Sequence, residues 1–320
     1  MRYNPWGDCG GAHNGHSEAT DHHRSRQPFS SAHMKIDSGH LLLEHGDTRL
    51  TLDAAHGGAI REFGWRDRPI FRPTPQSAGA DPFELGCFPM VPYANRIAHG
   101  RFRFDARAVQ LRQNRRHEPH PLHGYGWLAP WTVVDATASS ATLVFEGGGD
   151  EWPWRYRAGQ HLQLSQDALA VNLSIENLSP SAMPVILGLH PYFCDPGLAR
   201  LQAAVPRVWL TDSASLPVEE VATPIDWSFG RARSIAAVPL DQCFVDWDGR
   251  ALLLWPDCRL GIRATNCRYL HVYAPPGRDF FCVEPQSAAA GALNRGAGEA
   301  TVLAPGGRFE IRVHFEVGVA

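Results

Sequence analysis

The chain of 320 residues carries 30 basic and 33 acidic side chains, a net charge of -3, which is too balanced for electrostatic capture of nucleic acid or of an anionic membrane surface. No run of about 18 apolar residues is present to span a bilayer, and the N-terminus lacks the apolar h-region of a secretory signal, so a small neutral ligand fits better than a polymer or a membrane. Seven cysteines form no C-x-x-C pair; their odd number leaves one thiol unpaired within the chain, and reduced thiols in a soluble, cytoplasmic protein are the expectation.

Residues 1–33 are rich in Gly, His, Ser and charge and have almost no periodic apolar residues to bury. A disordered polar tail is expected there. Its five histidines are irregularly spaced, which reads as a solvated tail rather than a metal site, and Met34 is itself a candidate start. Residues 34–320 then form one domain, a size that an all-β fold reaches undivided.

From Leu41 onward the dominant period is two. "TRLTLD", "WTVVDA" and "ATLVFE" come first, then "ALAVNLSIENLS", in which Leu169, Val171, Leu173 and Ile175 alternate with Ala170, Asn172, Ser174 and Glu176. "ALLLW", "RLGIRAT" and "YLHVYA" follow, and near the end Phe309, Ile311, Val313, Phe315 and Val317 alternate with polar neighbours. These are strands with one wet face, punctuated by Gly, Pro, Asp and Ser turns. No comparably long stretch has helical spacing and no repeat of 20 to 50 residues marks a propeller, so the pattern predicts an all-β, large antiparallel β-sandwich.

Four loop-like segments interrupt the alternation: Gly86–Phe102, His117–Trp127, Gly188–Phe193 and Phe281–Asn294. Each sets a polar side chain beside Pro or Gly, the usual setting of a binding or catalytic group. His117, His120 and His123 recur every third residue, but two intervening prolines keep their imidazoles off a shared helical face, which weakens a metal assignment. His190, between an apolar run and Pro191, could be a core residue, a metal ligand or a catalytic acid. Glu284 ends the apolar run of "FFCVEP", a stretch that reads as a buried strand; a carboxylate in that position is either paired, for example with Arg96, or chemically employed. Asp241 in "PLDQCF" has a weaker claim, since Asp is ordinary at turns.

In this order and spacing "PYANRI", "LHGYGW", "GLHPYF", "LDQCF" and "VEPQS" resemble the signatures of the aldose 1-epimerase (galactose mutarotase) family, over roughly residues 40–318. The resemblance implies a β-sandwich of the galactose mutarotase type with an open sugar cleft on its concave face. It implies Glu284 as general base, His190 as general acid and His123 as a second active-site histidine, with Arg96, Asp241 and, less directly, Asn95 on the sugar hydroxyls. Trp127, Tyr192 or Phe281 could pack on the sugar's C–H face.

The implied reaction exchanges the α and β anomers of a free aldose and needs one acid and one base, with no metal and no cofactor. The partners expected are a hexose or pentose and at most a second copy of the chain, a monomer or homodimer. Glu284 and Asp241, if they surround His190, would favour its charged form and raise its pKa toward or above neutrality. A glycoside hydrolase with Asp241 and Glu284 as its two carboxylates and a sugar-binding protein without turnover are the alternatives.

Overall fold

A computed structural model describes residues 35–37, 39–75, 81–296 and 298–320; the expected polar tail, residues 1–33, lies outside the described residues. Among the described residues most strands lie in two antiparallel sheets, of 12 and 9 strands, with two further two-stranded pairs, Met183–Val185 with Thr301–Leu303 and Arg101–Phe104 with Arg107–Gln110. The 9-stranded sheet is centred on Arg308–Val319, Ala168–Asn177 and Tyr156–Ser165, the segments with the clearest alternation. They pair so that Leu162, Val171 and Val313 fall opposite one another. One face of this sheet therefore presents an unbroken apolar surface to the larger sheet, and the polar residues of the same strands face solvent.

The larger sheet closes the sandwich. Its Phe71 ring meets Phe315 of the smaller sheet edge to face at 5.0 Å. Polar ties at the sandwich margin, Trp65 Nε1–H to Asp167 Oδ1 at 2.9 Å and Thr48 Oγ to the Ser165 carbonyl at 2.7 Å, satisfy groups that would be costly to bury unpaired. The chain is an all-β antiparallel sandwich, as the sequence pattern predicts.

Three of the four segments expected as loops contribute strands to the larger sheet. Gly188–Cys194 and Phe280–Gln286 are neighbouring strands in the interior of the larger sheet, and Cys87–Met90 is the strand on the other side of Gly188–Cys194. Their Pro and Gly residues disguise them, since proline is unusual inside a sheet. On Phe280–Gln286 come Tyr269–Ala274 and then Leu240–Val245. Within these strands Leu189, Phe193, Phe281, Val283, Leu270, Val272 and Phe244 are buried in the sandwich core. The alternate residues His190, Tyr192, Phe280, Glu284, His271 and Tyr273 emerge on the opposite face, where they line a cleft.

Candidate active site

Register puts the chemistry of that face in one row. Cys243 pairs with His271, His271 with Glu284, and His190 with Phe88. The pairs Gly188 with Gln286 and Tyr192 with Cys282 set His190 opposite Glu284 and complete the row. Opposed side chains in antiparallel strands have Cβ atoms about 4.5 to 5.5 Å apart, so five strands distant in sequence deliver adjacent functional groups without any loop needing to fold over them.

Glu284 and His190 form the floor of the cleft. Glu284 is 1% exposed; its Oε1 lies 3.3 Å from His190 Nε2, and its Oε2 accepts from Gln286 Nε2 at 3.1 Å. The salt bridge to Arg96 that would have given Glu284 a purely structural role is not formed. Burial pushes the Glu284 carboxyl up to about 7, Asp241 adds to this, and the nearby His271 opposes it.

His190 departs from expectation. Its ring stacks with Phe88 at 4.6 Å and Tyr192 at 4.7 Å and meets His123 edge to face at 5.1 Å. Its buried Nδ1 has no hydrogen-bond partner, so an imidazolium would leave one N–H unpaired. Burial holds His190 down to about 3 and the positive His271 acts the same way, outweighing the upward pull of Asp241. The carboxylates therefore do not raise His190: desolvation between two aromatic rings wins.

His123 and Asn95 fix each other. Both adopt left-handed backbone, φ 58° and 61°, a conformation that Asn and His adopt more readily than most residues. His123 N–H donates to the Asn95 carbonyl and Asn95 N–H to His123 Nδ1, each at 3.1 Å. The ring hydrogen is thereby placed on Nε2, toward the cleft, and burial holds His123 well below the usual imidazole range. Gly124 follows with φ 70°, and a Cβ there would land on the Val91 carbonyl oxygen. The "HG" pair is a backbone requirement as well as a chemical one.

Asn95 makes further commitments: its Oδ1 accepts from Arg96 N–H at 2.8 Å and its Nδ2 lies 3.2 Å from His271 Nδ1. The side chain of Arg96 reaches Glu118 at 3.7 Å and Asp241 at 3.9 Å, distances that leave its donors available to a ligand. Asp241 Oδ1 lies 2.9 Å from His271 Nε2 and its Oδ2 accepts from Ser215 Oγ at 2.9 Å. Burial favours protonated Asp241, but the bond and charge of His271, with Arg96 and Ser215, hold it well below the usual carboxylate range.

All six expected site residues thus line one cleft, with room of about 320 Å³, the lower end of the ~300 to 1,000 Å³ typical of small-molecule sites. Tyr192 lines it too, as do Phe83, Tyr273 and Phe280. Trp127 and Phe281 do not: Trp127 is buried behind Phe83 and Phe88, and Phe281 points into the sandwich core. His117 is exposed and His120 packs on His99, so the triplet does not converge. Among the described residues the donor atoms that approach one another closely enough for a cation, within 4.8 Å, are those of His190, Cys282 and Glu284. There the Cys282 thiol is held well above its usual range by burial, and His190 and Glu284 already face each other.

Sequence reasoning missed His271, Gln286, Ser215 and Glu118. His271 had a signal, since in "YLHVYA" it shares the polar alternation with Tyr269 and Tyr273. Ser215 reaches the site from the hairpin turn between Arg207–Thr211 and Pro217–Ala222, and Glu118 from the long segment between Gln110 and Thr132.

Comparison with known proteins agrees with this architecture. The sequence profile of the aldose 1-epimerase family matches residues 40–316. An uncharacterized Escherichia coli K12 protein, YphB, is 33% identical over 82% of this chain and 93% of its own length. The crystal structure of a candidate aldose 1-epimerase from Escherichia coli K12 superimposes with a TM-score of 0.81 at 30% identity, covering 87% of this chain and 98% of that one. A galactose mutarotase-like protein from Clostridium acetobutylicum shares the fold at 19% identity, with a TM-score of 0.79 over 90% of this chain and 98% of that one. The chain belongs to the aldose 1-epimerase family. No helix among the described residues is long and apolar enough to cross a membrane.

Proposed function

We propose that the protein is an aldose 1-epimerase, interconverting the α and β anomers of a free aldose by passing a proton across the sugar between Glu284 and His190. The reaction takes a proton from the C1 hydroxyl and gives one to the ring oxygen, the C1–O5 bond breaks, the C1–C2 bond turns and the ring recloses on the other face. No proton is gained or lost overall. A pair holding one proton between its members is therefore sufficient: Glu284 takes the hydroxyl proton, His190 supplies one to the ring oxygen, and reclosure reverses both transfers.

Two groups 3.3 Å apart titrate as a unit. Once the ring is open the proton rests on Glu284 and His190 is neutral, the distribution that their burial favours. The site is thus matched to the open-chain stage. Positioned acid and base groups typically contribute ~10² to 10⁴ each in rate, which suits a reaction already measurable in water.

In this reading His123 donates from Nε2 to a sugar oxygen beside His190. Arg96 and Asp241 hold non-reacting hydroxyls through charge-assisted hydrogen bonds, and Asn95 serves them from behind by fixing Arg96, His123 and His271. Asp241 has both oxygens engaged, which suits holding a hydroxyl better than acting as the second carboxylate of a hydrolase.

The observation that carries the proposal is the buried Glu284–His190 contact on the floor of a polar cleft in a chain of this family. Polarimetry on freshly dissolved single anomers from a panel of hexoses and pentoses tests it. Accelerated approach to the equilibrium rotation is expected with at least one aldose, with no new reducing end released from glycosides.

A further inference from the structure

We propose that His271 is a positioning residue of this site: clamped between Asp241 and Asn95 and facing Glu284 across the β-ladder, it sets how tightly Glu284 holds its proton. The kinetic part of this inference rests on the functional reading above, while the electrostatic part is independent of it.

Glu284 is faced by titratable groups from every neighbouring element. Cys282 lies on its own strand, His190 and Tyr192 on one neighbouring strand, and Cys87 one strand further. His271 lies on the other neighbouring strand with Asp241 beyond it, and Arg96 comes from the loop above. Among these His190, Arg96 and His271 can carry positive charge; burial leaves His190 neutral once the pair has lost its shared proton, and Arg96 is directed at Asp241 and Glu118. Among the described residues, ionised Glu284 otherwise receives hydrogen bonds from Gln286 and His190, both neutral at that point. The group able to compensate its charge at the next ladder position is His271.

Whether His271 carries that charge turns on two competing neighbours. The Asn95 amide, with Oδ1 taken by Arg96 N–H, turns its NH₂ toward Nδ1, which suits a neutral ring. Asp241, at 2.9 Å from Nε2, and Glu284 suit an imidazolium. A half-turn of the carboxamide gives Nδ1–H an acceptor and sacrifices one neutral hydrogen bond. A neutral ring with its hydrogen on Nε2 would keep both bonds, but two carboxylates, Asp241 at 2.9 Å and Glu284 at the paired ladder position, attract the charged ring and outweigh the bond given up, so the imidazolium prevails. In the same sense, although burial works against a charged ring, Glu284 and Asp241 push His271 up to about 10. The ring is then a fixed cation while Glu284 titrates. His190, His123 and Cys243, which also face it, do not reverse this.

Replacing His271 by glutamine removes the charge and keeps a polar side chain. An opposite charge within ~4 to 6 Å shifts a carboxyl by about 1 to 3 pH units, and Glu284 in His271→Gln is expected to hold its proton to a correspondingly higher pH. The alkaline limb of kcat/KM moves up with it. The test is a ¹³C-carboxyl NMR titration of the full chain without sugar, wild type against His271→Gln, beside the pH profile of both with an accelerated aldose. A Glu284 midpoint unchanged in a variant with native circular dichroism overturns the proposal. If His271→Gln does not fold, ¹⁵N spectra of wild type decide: the His271 ring is expected to remain an imidazolium above about pH 8, and a neutral ring there overturns the inference. If no aldose is accelerated but the Glu284 midpoint moves, the functional reading fails and the role of His271 stands.

Discussion

Glu284 and His190 face each other across neighbouring strands, 3.3 Å apart and both buried, so the protonation of one governs the other. Removing the carboxylate while keeping its shape should therefore stop proton transfer without emptying the cleft. Glu284→Gln is expected to lower kcat by about 10² to 10⁴ with little change in KM. Asp241→Asn should instead act mainly through KM, because Asp241 holds rather than transfers. Steady-state kinetics of the two variants on one sugar make the comparison; near-normal turnover in Glu284→Gln would remove the base assignment.

The pH profile follows from the requirement that the pair carry one proton. Loss of that proton occurs near 7, where burial has raised Glu284, and a second proton is taken up only near 3, where burial has lowered His190. The expected kcat/KM curve is a bell that falls above about pH 7, its alkaline limb set mainly by Glu284 rather than by the histidine. A profile still rising at pH 9 contradicts the one-proton pair.

The same carboxyl leaves a mark on stability. The folded chain holds the Glu284 proton to about 7, against 4.5 for the ordinary group, so folding binds a proton more tightly. This contribution is complete below pH 4.5 and is lost as the pH rises to about 7, of the order of 3 kcal/mol over that window. Relative to wild type, Glu284→Gln should become steadily more stable between these pH values. Denaturant melts of both proteins across the window measure it, and a constant difference would show that Glu284 is not perturbed in the folded state.

Gly124→Ala probes how His123 is held. With φ 70° and the Val91 carbonyl in the path of a Cβ, the substitution must move the backbone that couples His123 to Asn95, at a cost of about 1 to 3 kcal/mol. A lower melting temperature should accompany a lower kcat and a higher KM. A variant with wild-type kinetics would mean that the His123 geometry is not needed for turnover.

What the sequence discloses, and what it hides, has a physical pattern. The sandwich was legible because strands such as Ala168–Asn177 and Arg308–Val319 bury one face only, so their alternation is written in residue type. The central strands under the cleft were less so: Gly188–Cys194 and Phe280–Gln286 are buried for almost their whole length and carry proline, so alternation is lost; "FFCVEP" still reads as a buried strand from its apolar run, whereas "GLHPYF" resembles a loop. Glu284, His190, His123, Arg96, Asp241 and Asn95, which the motifs single out, line one cleft. The protonation of His190 could not be read, because it depends on Phe88 and Tyr192 stacking against the ring and on the charge of His271. His271 itself sits in an ordinary-looking strand and acquires significance only through its register with Glu284 and Cys243.

The most direct test of the central claim is polarimetry of freshly dissolved single anomers with wild type and Glu284→Gln in parallel. The account predicts that wild type accelerates the approach to equilibrium rotation for at least one free aldose and that Glu284→Gln abolishes nearly all of the acceleration. Equal rates with and without wild-type protein across the hexose and pentose panel, or equal acceleration by both proteins, would contradict it.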